Sequence, residues 1–251
     1  MKRISISFAS FGALLFLTVG DINAQVPTAG LIAHWAFDEG SGALAADSSG
    51  GGHNGTLVNG PTWTSGIAGD ALSFDGIDDY VAIPDSVDFD FGNGDFTICA
   101  WFRTTVGLSE QYIIDFFRDG NFPHIEIYTG LPLHCLGSHL CGVGDVCTRI
   151  SNGIVDNGGW HHVVITLSHS VPNGFSLYVN GIKATSGTFS QLLDGWDTIS
   201  IAARVHVDGT IDEPWNGDID EVLVYDRVLS DSEIANLYGF YPVDLQGFTI
   251  D

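Results

Sequence analysis

The sequence predicts an all-β protein, built as a sandwich or a barrel, and three observations carry that expectation. Glycine supplies 32 of the 251 residues and aromatics 12%, against 8 Lys and Arg, a balance that favours strands joined by tight turns. Short apolar runs recur along the chain with Gly, Asn or Asp between them. One stretch alone, residues 230–238, has helical character. Hydrophobic residues at 45% and charged residues at 16% exclude a disordered chain. The length suits one large domain or two small ones.

Residues 31–37 read as the first strand, followed by 71–74 and 80–83. The segment 96–103 has strong β propensity, and 111–117 and 124–128 come next. Residues 160–167 and 175–179 flank the turn-forming Pro172-Asn173-Gly174. Asn180-Gly181 then joins 175–179 to 182–185, the strongest short hairpin signal in the chain. Segments 198–204 and 219–225 complete the set. At the helix, Ser230 is the N-cap and Glu233, three residues on, completes a capping box.

Asp and Glu number 31, which gives a net charge of −23. Phosphate backbones and anionic membrane surfaces repel such a chain, so nucleic-acid binding and adsorption to anionic membranes are excluded. Lys2 and Arg3, an apolar stretch over 11–19, and Asn23-Ala24 before Gln25 have the layout of a secretory signal peptide cleaved after Ala24. Residues 1–24 are expected to be that signal, 25–238 one domain, and 239–251 a tail packed on the domain or linking onward. The mature protein is expected to be secreted, periplasmic or at the cell surface, where disulfides form.

Several segments together give a resemblance. They are Leu31-Ile32-Ala33-His34-Trp35-Ala36-Phe37-Asp38-Glu39, Asp47-Ser48-Ser49-Gly50 with His53-Asn54-Gly55-Thr56, and Ala71-Leu72-Ser73-Phe74-Asp75-Gly76 leading to Asp78-Asp79-Tyr80-Val81. Further on come Phe96-Thr97-Ile98 with Trp101, Gly159-Trp160-His161-His162-Val163, Leu177-Tyr178-Val179-Asn180-Gly181, and Gly217-Asp218-Ile219-Asp220-Glu221-Val222. In this order they resemble the laminin-G-like domains of the concanavalin A-like lectin/glucanase superfamily. The resemblance implies a jelly-roll sandwich of two curved antiparallel sheets. Trp35, Trp63, Trp101, Trp160 and Trp215 fall in or beside these segments and are expected to pack the sheets. Trp196, in Asp194-Gly195-Trp196-Asp197, falls outside them and is the candidate exposed platform for a ligand.

Two groups of acids are candidate ligands for a structural calcium ion, which prefers six to eight oxygens. The first is Asp38, Asp47 and Asn54; the second is Asp218, Asp220 and Glu221. Terminal strands of a jelly roll pair antiparallel, which would bring Asp38 near Asp220, and carboxylates so gathered repel unless a cation separates them. Many members of the resembled family carry calcium near such a loop, which adds weight. The alternative is that these residues only cap turns. Asp75, Asp78 and Asp79 are expected to form a hairpin turn.

Cys135, Cys141 and Cys147 lie in one Gly-rich stretch that departs from the family pattern, an insertion or an elaborated loop. At least one disulfide is expected there, with three pairings open once Cys99 is counted; Cys99 is alternatively a buried free thiol. A zinc site with His134 and His139 lacks the usual tight Cys pairs. His161 and His162 are expected to be strand residues satisfied by local hydrogen bonds.

No paired acids of the glucanase kind occur along one strand, no nucleophile elbow and no phosphate-binding loop appears, and the chain is read as non-catalytic. The function expected is a secreted carbohydrate-binding module with structural calcium, whose sugar contacts come from Trp196, Tyr112, Tyr128, Asp194 and Asp197. The acidic surface favours neutral or cationic glycans. The alternatives are an adhesion module that binds extracellular or cell-surface protein, and a hydrolase or lyase with an unrecognised site.

Overall fold

A computed structural model describes residues 26–240 except 108, 120–123, 131–134, 142–147, 151–154, 170 and 190–191; for 135–141 and 148–150 it describes the backbone alone. The strands are β1 Leu31–Trp35, β2 Leu44–Ala45, β3 Gly55–Val58, β4 Thr62–Ser65, β5 Asp70–Asp75, β6 Tyr80–Ile83, β7 Phe96–Arg103, β8 Gln111–Phe117 and β9 His124–Gly130. They continue as β10 Cys135–Cys141, β11 Thr148–Ile150, β12 His161–Leu167, β13 Phe175–Val179, β14 Ile182–Gly187, β15 Thr198–Ile201, β16 Arg204–Val205, β17 Ile211–Asp212 and β18 Asn216–Tyr225. The helix α1 spans Asp231–Phe240. No helix among the described residues is long and apolar enough to cross a membrane.

Two antiparallel sheets face each other. The first runs β14-β13-β12-β7-β18-β5-β4, with β1 also on β18; the second runs β11-β10-β9-β8-β15-β6-β3-β2; β16 and β17 form a separate hairpin. The expected antiparallel pairing of the terminal strands is present, with Trp35 opposite Val222. The jelly-roll sandwich read from the sequence is the fold.

Alternation on β7 shows how the sandwich is filled. Phe96, Ile98, Ala100 and Phe102 face the second sheet and join the main core. Cys99 and Trp101 point the other way and are covered by α1. Cys99 is a buried free thiol. Trp35, Trp101 and Trp215 are fully buried, while Trp63 and Trp160 are partly buried against the same clusters. Truncating a buried aromatic of this kind costs about 3–5 kcal/mol.

Local signals hold where they were strongest. Asn180 and Gly181 both adopt positive φ, at 51° and 76°, and close the β13–β14 hairpin. The Glu233 N–H donates to Ser230 Oγ at 3.3 Å, and the Ser230 N–H donates to Glu233 Oε2 at 2.8 Å, completing the capping box. The turn at Asp75–Asp79 differs from expectation, because β5 belongs to one sheet and β6 to the other; it is a crossing between layers and not a hairpin. The cysteine-bearing stretch is not a loop throughout. Its residues 135–141 pair with β9, and 148–150 pair in turn with β10, so it widens the second sheet by two strands. The side chains of Cys135, Cys141 and Cys147, and hence any disulfide, lie outside the described residues, as do the signal segment 1–24 and residues 241–251 of the tail.

His161 meets the expectation of local hydrogen bonds, with Nε2 3.1 Å from Asn157 Oδ1 and Nδ1 3.2 Å from Asn180 Nδ2. His162 does not. It is fully buried, it stacks on Trp101 at 5.0 Å and Tyr238 at 6.3 Å, and neither ring nitrogen finds a hydrogen-bond partner among the described residues. Burial holds this imidazole neutral, down to about 3. Below pH ~6.5 the unfolded chain therefore takes up a proton that the folded chain refuses, and stability falls as pH drops from there. Urea melts of the wild type and His162→Phe between pH 6.5 and 4 check this. The variant keeps the stacked ring and is expected to show a shallower acid slope; identical slopes would refute the assignment.

Candidate functional site

The outer face of the second sheet gathers polar and aromatic side chains that the core cannot take. On β8, Ile114 and Phe116 point inward, and the bulge after Tyr112 leaves Tyr112, Asp115 and Phe117 outward. On β9, Ile125 and Ile127 point inward and His124, Glu126 and Tyr128 outward. Asp115 and Glu126 are direct partners across the two strands, a placement that puts side chains in contact. Tyr112 and Tyr128 are likewise opposed, their rings 5.9 Å apart.

Arg204, on the β16–β17 hairpin, ties this face together. Its Nε donates to Asp115 Oδ2 at 3.0 Å and its terminal nitrogen donates to Glu126 Oε1. The guanidinium lies 4.4 Å from the Tyr112 ring centre and 5.3 Å from that of Phe117. His124 bridges Glu126 Oε1, at 3.1 Å, and the Arg118 carbonyl, also at 3.1 Å. Asp115 is fully buried, and its Oδ1 has no hydrogen-bond partner among the described residues. Burial, and then the neighbouring Glu126, push its carboxyl up to about 7 against the pull of Arg204. Burial also raises the Tyr112 hydroxyl, which stays protonated and can donate. The face thus gathers carboxylate acceptors, a guanidinium donor and aromatic rings, the groups that bind hydroxyl-rich ligands, with Arg204 the most accessible of them at 17% side-chain exposure.

Of the five residues expected to contact sugar, Tyr112 and Tyr128 belong to this face, though both are buried, at 4% and 2% exposure. Trp196 is a correction. It is a core residue at 3% exposure, with Nε1 donating to the Phe89 carbonyl at 2.8 Å and its ring edge-on to Phe116 at 5.7 Å. The polar Asp194-Gly195-Trp196-Asp197 string hides an inward-turned indole. Asp194 and Asp197 serve the end of β8: the Asp194 carbonyl accepts from Arg118 at 3.3 Å, and Asp197 Oδ2 accepts from the Asp119 N–H at 2.8 Å. Asp115 and Arg204 are the members that sequence reasoning missed.

The proposed calcium ligands do not converge. Asp38 and Asp220 do approach one loop, 66–70, but its backbone N–H groups stand where a cation would. Asp220 Oδ2 accepts from Ile67 at 2.8 Å and Ala68 at 3.3 Å, and Asp38 Oδ1 accepts from Asp70 at 3.0 Å. Gly69, at φ 64°, makes the approach possible, since a Cβ there would lie 1.9 Å from Asp38 Oδ1. Asp218 pairs with Arg103, and Glu221, at a bulge with φ 50°, pairs with His34 at 2.5 Å. Asp47 accepts three N–H bonds, from His34, Ser49 and His53, while Asn54 Oδ1 accepts from the Asp47 N–H. Burial pushes the Asp47 carboxyl up, but the hydrogen bonds from Ser49, His34 and His53 outweigh it and leave the group below its ordinary value. Asp38, Asp47, Asn54 and Asp220 therefore do not fit a shared calcium ion. Among the described residues Asp75, Asp78 and Asp79 are the one group of three or more potential ligands that lie within 4.8 Å of one another, and N–H groups of their own turn satisfy two of them.

Asp220 is the most constrained of these acids. Burial, with Glu221 beside it, pushes its carboxyl up to about 8. Asp220→Ala strands two N–H groups and is expected to cost about 1–3 kcal/mol. In the wild type the unfolded carboxyl ionises near pH 4 and the folded one near 8, so this group costs stability as pH rises through that window. Asp220→Asn, which keeps an acceptor, is expected to remove that loss. Urea melts of the three proteins at pH 5 and 8 check both statements, and equal stability of Asp220→Ala and wild type would refute the first.

The fold is shared with domains of known structure. The binding domain of Paraclostridial Mosquitocidal Protein 1 superposes with a TM-score of 0.68 at 17% identity, over 84% of this chain and 52% of that one. Domain 4 of AbnA, a GH43 extracellular arabinanase from Geobacillus stearothermophilus solved with arabinotriose, gives 0.65 at 22% identity, over 84% and 98%. The binding domain of Botulinum Neurotoxin DC in complex with SialylT gives 0.63 at 16%, over 86% and 52%. The chain thus spans about half of each toxin domain and nearly all of the arabinanase domain. No curated protein sequence matches it. The sequence profile of the concanavalin A-like lectin/glucanases superfamily matches residues 75–235, and the chain belongs to that superfamily.

Proposed function

We propose that the protein is an exported, non-catalytic carbohydrate-binding module whose ligand face is the outer surface of the second sheet around Arg204. The observation that carries the reading is the cluster of Tyr112, Asp115, Glu126, Tyr128 and Arg204 on one sheet face. Two of the structural neighbours are binding or accessory domains solved with a saccharide or a sialyl ligand, which supports the same class of ligand. The signal-like N-terminus supports export, and the charge of −23 argues for neutral or cationic glycans over polyanionic ones. Asp115 and Glu126 form an opposed acid pair, but both are buried and share one guanidinium, an arrangement suited to holding the hairpin and orienting hydroxyls.

A glycan array spanning neutral, cationic and anionic oligosaccharides tests this. Binding to a neutral or cationic glycan is expected. Arg204→Lys keeps the charge but loses the two-pronged fork, and it is expected to weaken that binding at least tenfold with the melting temperature held within a few degrees. Absence of binding to every glycan, with capture of an extracellular protein instead, would move the assignment to an adhesion module.

A further inference from the structure

Away from that face, the start of β1, the Gly-rich loop after β2, the turn at Val87–Phe89 and the residue that follows β18 border an open pocket of 410 Å³. Its walls are Leu31, Ile32, Gly51, His53, Asp88 and Asp226. Ligand pockets run from about 300 to 1,000 Å³, so the space suits a small molecule.

The walls carry two carboxylates and an imidazole and no Lys or Arg. Arg227, next to Asp226, offsets part of that residue's charge, but its guanidinium hydrogen bonds go elsewhere, to Glu233 at 2.7 and 3.1 Å and to the Ala29 carbonyl at 2.7 Å. His53 is held rigidly, 8% exposed, with its ring 4.7 Å from Phe89. Its Nε2 lies at ion-pair distance, 3.1 Å, from Asp88 Oδ2 and makes no hydrogen bond among the described residues. Gly51 lies flush against the floor: a Cβ there would sit 2.4 Å from the Ile32 carbonyl oxygen and 2.9 Å from the His53 ring. Asp88 is 57% exposed at its side chain, so a ligand can reach it.

This lining suits a cation larger than a metal ion. His53, Asp88 and Asp226 do not bring their ligand atoms within one ion's reach; among the described residues only the Asp75 turn does so. We propose that this pocket binds a small organic molecule carrying a protonated primary amine, of about hexosamine size, with Asp88 and Asp226 as counter-charges and His53 Nε2 as a hydrogen-bonding partner. The site is separate from the Arg204 face and does not rest on what that face binds.

Amide NMR titration of the full chain with glucosamine tests it, with N-acetylglucosamine as the neutral control and calcium and zinc chlorides as metal controls. Saturable shifts at Gly51 and His53 are expected with glucosamine and not with N-acetylglucosamine. The Asp88→Asn/Asp226→Asn double variant is expected to raise Kd at least tenfold, and raising NaCl to about 0.5 M is expected to weaken wild-type binding, because the carboxylates are open to screening. Equal binding of the two sugars, an unchanged Kd in the double variant, salt-independent binding, shifts with metal alone, or no saturable shift would each overturn the proposal.

Discussion

Strand β18 fastens the domain to itself. Its first half pairs with β5, its second half with β1, and both halves with β7, so residues from the start, the middle and the end of the chain share one ladder. The bulge between Asp220 and Leu223 lets one strand serve all three, by turning Asp220 toward loop 66–70 and Glu221 toward His34. A buried carboxylate at such a junction needs partners. Here they are backbone N–H groups for Asp220 Oδ2 and a histidine for Glu221, while Asp220 Oδ1 is left without a hydrogen bond among the described residues.

The elements legible in the sequence are those whose cause is local. The capping box at Ser230 and Glu233, the Asn180-Gly181 turn and the alternation of Phe96, Ile98, Ala100 and Phe102 each depend on residues a few positions apart. The pairing of β1 with β18 was readable through ordered family segments. The cluster of Arg204 and Asp115 with Glu126 was not, because its meeting depends on cross-strand register and on a hairpin far along the chain. A search along single strands for two carboxylates at alternate positions passes over a pair that faces across two strands.

Trp196 and His162 show the same limit from the other side. A Trp among Asp and Gly reads as surface, yet the turn delivers its ring to Phe116 and its N–H to the Phe89 carbonyl. A His in a strand reads as hydrogen-bonded, yet α1 seals His162 against Trp101 and Tyr238. In both cases tertiary cover overrides local polarity. The expected calcium ligands do not converge for a related reason: sequence shows carboxylates but not the N–H groups that a glycine-containing loop aims at them.

The double attachment of Arg204 has a further meaning. The hairpin β16–β17 is held on the second sheet by the Arg204 fork, by Thr198 Oγ1 donating to the Val205 carbonyl and by the His206 ring against Phe117, and the same fork is a donor within this face. Any ligand oxygen placed there would compete with the two carboxylates for the fork, and its gain would be diminished by the hairpin contact it loosened. If this face is the ligand site, the firmness of the hairpin contact would set affinity from within the protein, and changes within Ile211–Asp212 would alter it without touching the ligand.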